Sequence, residues 1–133
     1  MNYDLGQAPT PGLGRMTPER TFLRLCNGPK TGLEIPLHHL TMVLGRNNLP
    51  HGIVDIDLSD CELGTPPMIS RNHAIFQWVE GVLQICDLNS RNGSWVNDRQ
   101  LIPHSTEVAT FVTLSLGDII KFGNLEFEVI THD

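Results

Sequence analysis

The chain has 133 residues, with nine Lys plus Arg against fifteen Asp plus Glu and a formal charge of −6. That length suits one domain with a single sizeable core. That acidity repels polyanions, so neither direct nucleic-acid binding nor an anionic membrane is expected.

Three cysteines (Cys26, Cys61 and Cys86) form an odd set without C-x-x-C spacing. This argues against a disulfide framework and a zinc site, so no metal or other cofactor is expected. No apolar run approaches the ~20 residues needed to cross a bilayer. The N-terminus shows no basic-then-apolar leader. Reduced thiols and a soluble, intracellular protein are the expectation.

Residues 1–20 carry three prolines, three glycines and no sustained apolar period. Such a segment cannot bury enough surface to offset its ordering entropy, so a flexible arm is predicted. The globular domain is expected over 21–133.

Phe22 to Cys26 reads as the first strand and ends at Asn27-Gly28-Pro29. Leu33 to Leu37 is short and contains Pro36, which suits a sheet edge. Thr41 to Leu44 runs into Gly45-Arg46. Val54 to Leu58 alternates apolar and acidic residues with period two, the pattern of a half-buried strand. A long polar loop, Asp60 to Ile69, precedes Ser70-Arg71-Asn72-His73.

Ala74, Phe76 and Trp78 then share one strand face, and Leu83 and Ile85 face inward on the next strand. Asn89 to Gly93 is a turn by composition. Ser94 to Val96 and Arg99 to Ile102 flank Asn97-Asp98, residues that tolerate positive φ in a tight hairpin. Val108 to Leu114, Ile119 to Phe122 and Leu125 to Ile130 complete the series. No helical period exceeds about two turns. About ten short strands imply an all-β sandwich or barrel.

The loops concentrate scarce positive charge beside small or turn-forming residues. Gly45 permits a sharp turn, and Arg46 then offers a planar fork of donors that matches a phosphate. The competing reading is an ordinary surface arginine. Ser70 offers a hydroxyl and Arg71 a charge. His73 is read either as a packed residue that ties down its loop or as a ligand. Arg91 either faces an anion or points to solvent. Asn92 and Asn97 are either turn residues or peptide contacts.

Ser70, His73 and Asp87 are residue types of a hydrolytic triad, but no nucleophile elbow accompanies them. Gly12-Leu13-Gly14 lacks the lysine and helix of a phosphate loop. No enzyme is expected.

The order of the motifs is more specific than any one of them. Gly45-Arg46 is followed by Ser70-Arg71-x-His73, then Asp87-Leu88-x-Ser90-x-Asn92-Gly93-x-x-Val96-Asn97, then Leu116-Gly117-Asp118-x-Ile120-x-Phe122-Gly123. From Thr21 to Ile130 this train resembles the forkhead-associated (FHA) domain family. The resemblance implies an eleven-stranded β-sandwich whose loops bind phosphothreonine peptides.

It implies that Arg46 and Ser70 hold the phosphate, with Arg71 as a second contact. It also implies that Asn92 bonds the peptide backbone, that Asn97 braces or extends that platform, and that Gly45, His73 and Gly93 shape the loops. Arg91 stands where such families often have Thr or Ser, and is read as a further phosphate contact. Met68 and Ile69, in the long loop, imply an apolar preference downstream of the phosphothreonine. The resemblance places the protein in the nucleus ahead of the cytoplasm.

A phospho-independent binding or dimerisation module is the alternative use of such a sandwich. Thr10-Pro11 and Thr17-Pro18 resemble minimal sites for a proline-directed kinase. Phosphorylation there would supply a ligand for a second copy and drive self-association.

Overall fold

The computed structural model describes residues 16–105 and 110–133. Among them run eleven strands: β1 (Thr21–Leu25), β2 (Glu34–Pro36), β3 (Thr41–Gly45), β4 (Ile56–Asp57), β5 (Asn72–Val79), β6 (Val82–Asp87), β7 (Ser94–Val96), β8 (Arg99–Gln100), β9 (Val112–Thr113), β10 (Ile119–Phe122) and β11 (Leu125–Thr131). They form a five-stranded sheet, β9-β6-β5-β3-β4, and a six-stranded sheet, β2-β1-β11-β10-β7-β8. Strand pairing is antiparallel except for the short β3–β4 contact, where Gly45 lies opposite Asp57. The all-β sandwich expected from the turn-punctuated sequence is the fold observed.

Alternation builds the core. Ala74, Phe76 and Trp78 on β5 and Leu83 and Ile85 on β6 are buried from one sheet. Leu23, Leu25, Ile120, Phe122, Phe127 and Val129 meet them from the other. Phe122 lies at the centre, tilted or edge-on to Phe127 at 5.9 Å and Phe76 at 6.2 Å, a favoured aromatic geometry. Its third aromatic neighbour, edge-on at 5.6 Å, is His73. The core therefore runs up to the loops at one end of the sandwich.

Several local expectations change. Val54, Ile56 and Leu58 are buried with period two as predicted, but only Ile56–Asp57 pairs as a strand. The reason is that Asp57 turns its carboxylate to the Asn47 amide and to both the amide and hydroxyl of Ser59. Pro36 does sit on an edge strand. Part of the predicted Val108 to Leu114 strand lies outside the described residues, and β9 covers Val112–Thr113.

The arm boundary also moves. Met16 packs on the core, and Arg20 bonds the His132 carbonyl at 2.9 Å and the Asp133 carboxylate at 2.9 Å. Residues 16–20, which the composition assigned to a flexible arm, are thus fastened to the C-terminus. Thr17 accepts the Thr21 hydroxyl on its carbonyl, and its own Oγ1 is buried. Thr10 lies outside the described residues.

Candidate functional site

Two strand ends set the floor of the site. The register of β3 and β5 shifts at Leu44/Gly45, and the Arg46 amide donates to the Arg71 carbonyl at 3.1 Å. A Cβ on Gly45 would lie 1.9 Å from that same carbonyl oxygen. The sequence reading credited Gly45 with a sharp turn. Its φ is not positive, and the actual requirement is close approach of two backbones.

Arg46 is held by its own side chain. Its Nε donates to the Ile69 carbonyl, which leaves the Nη end of the fork free to point elsewhere. The nearby Asp57 carboxyl titrates below its usual range. Burial opposes that shift, but bonds from Ser59 and Asn47 outweigh it, and Arg46 adds a smaller pull.

His73 lies beneath the loops and is fully buried. Its Nδ1 accepts the Ser70 amide at 3.0 Å. Nδ1 is therefore unprotonated, and Nε2–H donates to the Gly93 carbonyl at 2.9 Å. One imidazole ties the Ser70 and Gly93 loops together, with both ring nitrogens engaged by backbone groups. Burial pushes its pKa below the ordinary histidine value, with the Gly93 bond and the Asp87 charge opposing.

Ser70 Oγ accepts the Arg91 amide at 2.9 Å. Among the described residues its hydroxyl proton has no acceptor, so it remains available as a donor. Ser70 and His73 do not pair as nucleophile and base, since His73 takes the Ser70 amide rather than its hydroxyl. Asp87 is likewise committed, accepting the Ser90 hydroxyl at 2.6 Å, the Ser94 hydroxyl at 2.5 Å and the Ser90 amide at 2.9 Å. This buried carboxylate shapes the Asn89 to Gly93 turn. Gly93 completes the turn at φ +85, with Trp95 packed where a Cβ would project.

Asn92 Nδ2 donates to the Met68 carbonyl at 2.9 Å. The segment it grips is capped from the other side by Glu62, whose two carboxylate oxygens accept the Met68 and Ile69 amides at 3.1 and 3.0 Å. Sequence reading missed Glu62, because one acidic residue in a polar loop carries no spacing signal.

One expected contact is corrected. Ile69 is 1% exposed and belongs to the core, so its side chain cannot read a ligand; only its carbonyl serves the site. Asn97, expected to brace or extend the peptide platform, does not line the cavity that Arg46, Arg71 and Arg91 share. Its Oδ1 accepts the Ile119 amide and its Nδ2 donates to Asp118, both at 2.9 Å. It braces the β7–β8 turn against β10.

The remaining predicted residues converge. Arg46, Ser70, Arg71, Arg91 and Asn92 line one cavity of about 310 Å³, with Pro67 and Met68 as its apolar wall. Arg20 and Arg24 are paired with carboxylates. Among the described residues Arg46, Arg71 and Arg91 form no ion pair. Three guanidinium groups without an ion pair and a hydroxyl donor thus line the same cavity, a donor set that matches an anion.

The protonation of His73 gives a pH dependence. The unfolded imidazole takes up its proton near 6.5, and the folded one only at lower pH. Between those values the unfolded state binds more protons, so stability is full above about pH 6.5 and declines as pH falls below it. The melting temperature should drop between pH 7.5 and 5.5, and His73→Asn should flatten that slope. An unchanged slope in the variant would remove His73 as its source.

Comparison with known proteins agrees with this geometry. The family model described as "FHA domain" matches residues 42–123. The oxoglutarate dehydrogenase inhibitor of Corynebacterium diphtheriae is 32% identical over 103 residues, which cover 77% of this chain and 59% of that protein. This chain thus spans under two thirds of that relative. The FhaA FHA domain, solved in complex with the intracellular domain of Rv3910, superposes with a TM-score of 0.61 at 26% identity, covering 82% of this chain and 98% of that one. Mycobacterium tuberculosis EmbR, solved with a low-affinity phosphopeptide, gives 0.63 at 25% identity, covering 84% of this chain and 24% of that one. The Corynebacterium relatives are bacterial proteins, and bacteria have no nucleus, which overturns the nuclear expectation. By motif order, sandwich topology and family match together, the chain belongs to the FHA domain family.

Proposed function

We propose that this domain is a phosphothreonine-peptide reader that mediates phosphorylation-dependent protein–protein interaction. The observation that carries this reading is the cavity where Arg46, Arg71 and Arg91 meet Ser70 without a carboxylate partner among the described residues. A phosphothreonine brings a charge of about −1.5 to −2 and three strong acceptor oxygens. Arg46 and Ser70 hold that phosphate, and Arg71 and Arg91 add charge from the rim. Asn92, fixed by one amide hydrogen to Met68, presents the rest of its amide to the peptide backbone.

Met68, half-buried beside Pro67, forms the apolar wall for a downstream residue. Asn97 acts on the ligand only by bracing the loop. The site binds and does not turn over its ligand, since Ser70, His73 and Asp87 lack a relay. Net acidity supports one phosphate over a polyanion as the ligand.

The same pocket makes phosphorylated Thr10 of a second copy a partner. Thr17 is set aside, because its hydroxyl is buried and a kinase would have to unfold the segment to reach it. The Thr10-phosphorylated chain should sediment as a dimer at high concentration. A monomer throughout would contradict self-association.

Titration with matched threonine and phosphothreonine peptides tests the main reading. Only the phosphorylated peptide should bind tightly. Arg46→Ala should weaken it at least about 30-fold, roughly 2 kcal/mol. Equal affinity for the two peptides would favour a phospho-independent binding module instead.

A further inference from the structure

A second cavity, of about 220 Å³, adjoins the first and shares Arg46 and Arg71 with it. Its other polar walls are Asn48, His51 and Asn72. No carboxylate lines it. Among the described residues the side chains of Asn48, His51 and Asn72 have no hydrogen-bond partner, while His51 and Asn72 are exposed. The cavity therefore offers cationic and neutral donors with nothing to receive them.

The loop that carries these groups is built rather than loose. The Asn48 amide donates to the Gly52 carbonyl, and the Gly52 amide donates back to the Asn48 carbonyl, both at 2.9 Å. The Asn47 side chain accepts the Val54 amide at 2.8 Å, and the Asn47 amide reaches Asp57 at 3.1 Å. His51 sits at the tip of this closed loop. Presenting it to a ligand costs little ordering.

From these walls we infer that the second cavity is an anion subsite for another side chain of the same bound peptide. The inference rests on the phosphothreonine reading and extends it. Met68 and Asn92 line only the first cavity, whereas the second is walled by the 48–54 loop and Asn72. With Met68 meeting downstream residues, the second cavity takes an upstream one. An extended peptide advances about 3.3–3.6 Å per residue. Two cavities that share a pair of arginine side chains are therefore bridged within about three residues. The chemistry recognised is a compact anion on a short side chain, either a second phosphate or a carboxylate. Arg46 and Arg71 serve both anions, and His51 and Asn72 serve the second alone.

Calorimetry on the full chain tests this with four peptide sets. One has phosphothreonine with alanine at the three preceding positions. Two others place glutamate or phosphoserine at each of those positions in turn. The last repeats the alanine peptide with unmodified threonine. The best phosphoserine position should gain roughly tenfold over the alanine peptide, and the best glutamate position about threefold. His51→Glu should bring both ratios close to one. A gain from phosphate alone assigns the subsite to doubly phosphorylated partners, and equal gains assign it to acidic ones. No gain at any position, with phosphothreonine still preferred over threonine, would overturn the subsite and leave the main reading intact. Loss of that preference would overturn both.

Discussion

The site depends on one buried imidazole. His73 receives the Ser70 amide on one nitrogen and donates to the Gly93 carbonyl from the other, and its ring packs edge-on against Phe122 in the core. Two loops from different sheets are thereby locked to each other and to the packed interior. Only the neutral Nε2–H tautomer satisfies both bonds, and burial favours that neutral form. The arginines themselves contribute little to this scaffold. Arg46 is held by it, through the Ile69 and Arg71 carbonyls, and the Arg91 amide is held by the Ser70 hydroxyl.

A polar pocket in an acidic domain needs such a frame. Like charges gathered on free loops would spread apart, and ordering them on binding would cost affinity. Here the backbone carbonyls of Met68, Ile69 and Gly93 each accept a side chain of the site or its support. A buried acid and a half-buried one do the rest. Asp87 gathers serine hydroxyls and Glu62 gathers loop amides, so both acids are spent on shaping loops. Their negative charge sits behind the pocket, and the guanidinium forks are left to face outward.

Much of this was legible in the residues. Alternation located the strands that carry Phe76 and Leu83, because burial of one sheet face imposes a period of two, and turn residues bounded those that carry Ile120 and Phe127. The Asn97-Asp98 turn was legible because both residues adopt positive φ, at 50 and 66 degrees. The ordered motifs named Arg46, Ser70, Arg71 and Asn92, with Arg91 as a departure from the pattern, and all five line one cavity. What stayed hidden depends on direction and distance. Neighbours such as Met68 and Ile69 both line the cavity, but Met68 is half-buried while Ile69 belongs to the core and gives the site its carbonyl. Asn97 belonged to the right motif, but its amide was already taken by Ile119 and Asp118. Gly45 was the right residue for a different reason, since backbone approach across two strands leaves no trace in local sequence.

A fork held at Nε, rather than positive charge alone, is what we propose makes the pocket selective. Arg46→Lys separates the two. Lysine keeps the charge but has one terminal ammonium, which cannot bond the Ile69 carbonyl and also present a planar pair of donors. Calorimetry with a phosphothreonine peptide should find the lysine variant weakened at least about tenfold. Native affinity in Arg46→Lys would contradict the account, because charge alone would then suffice.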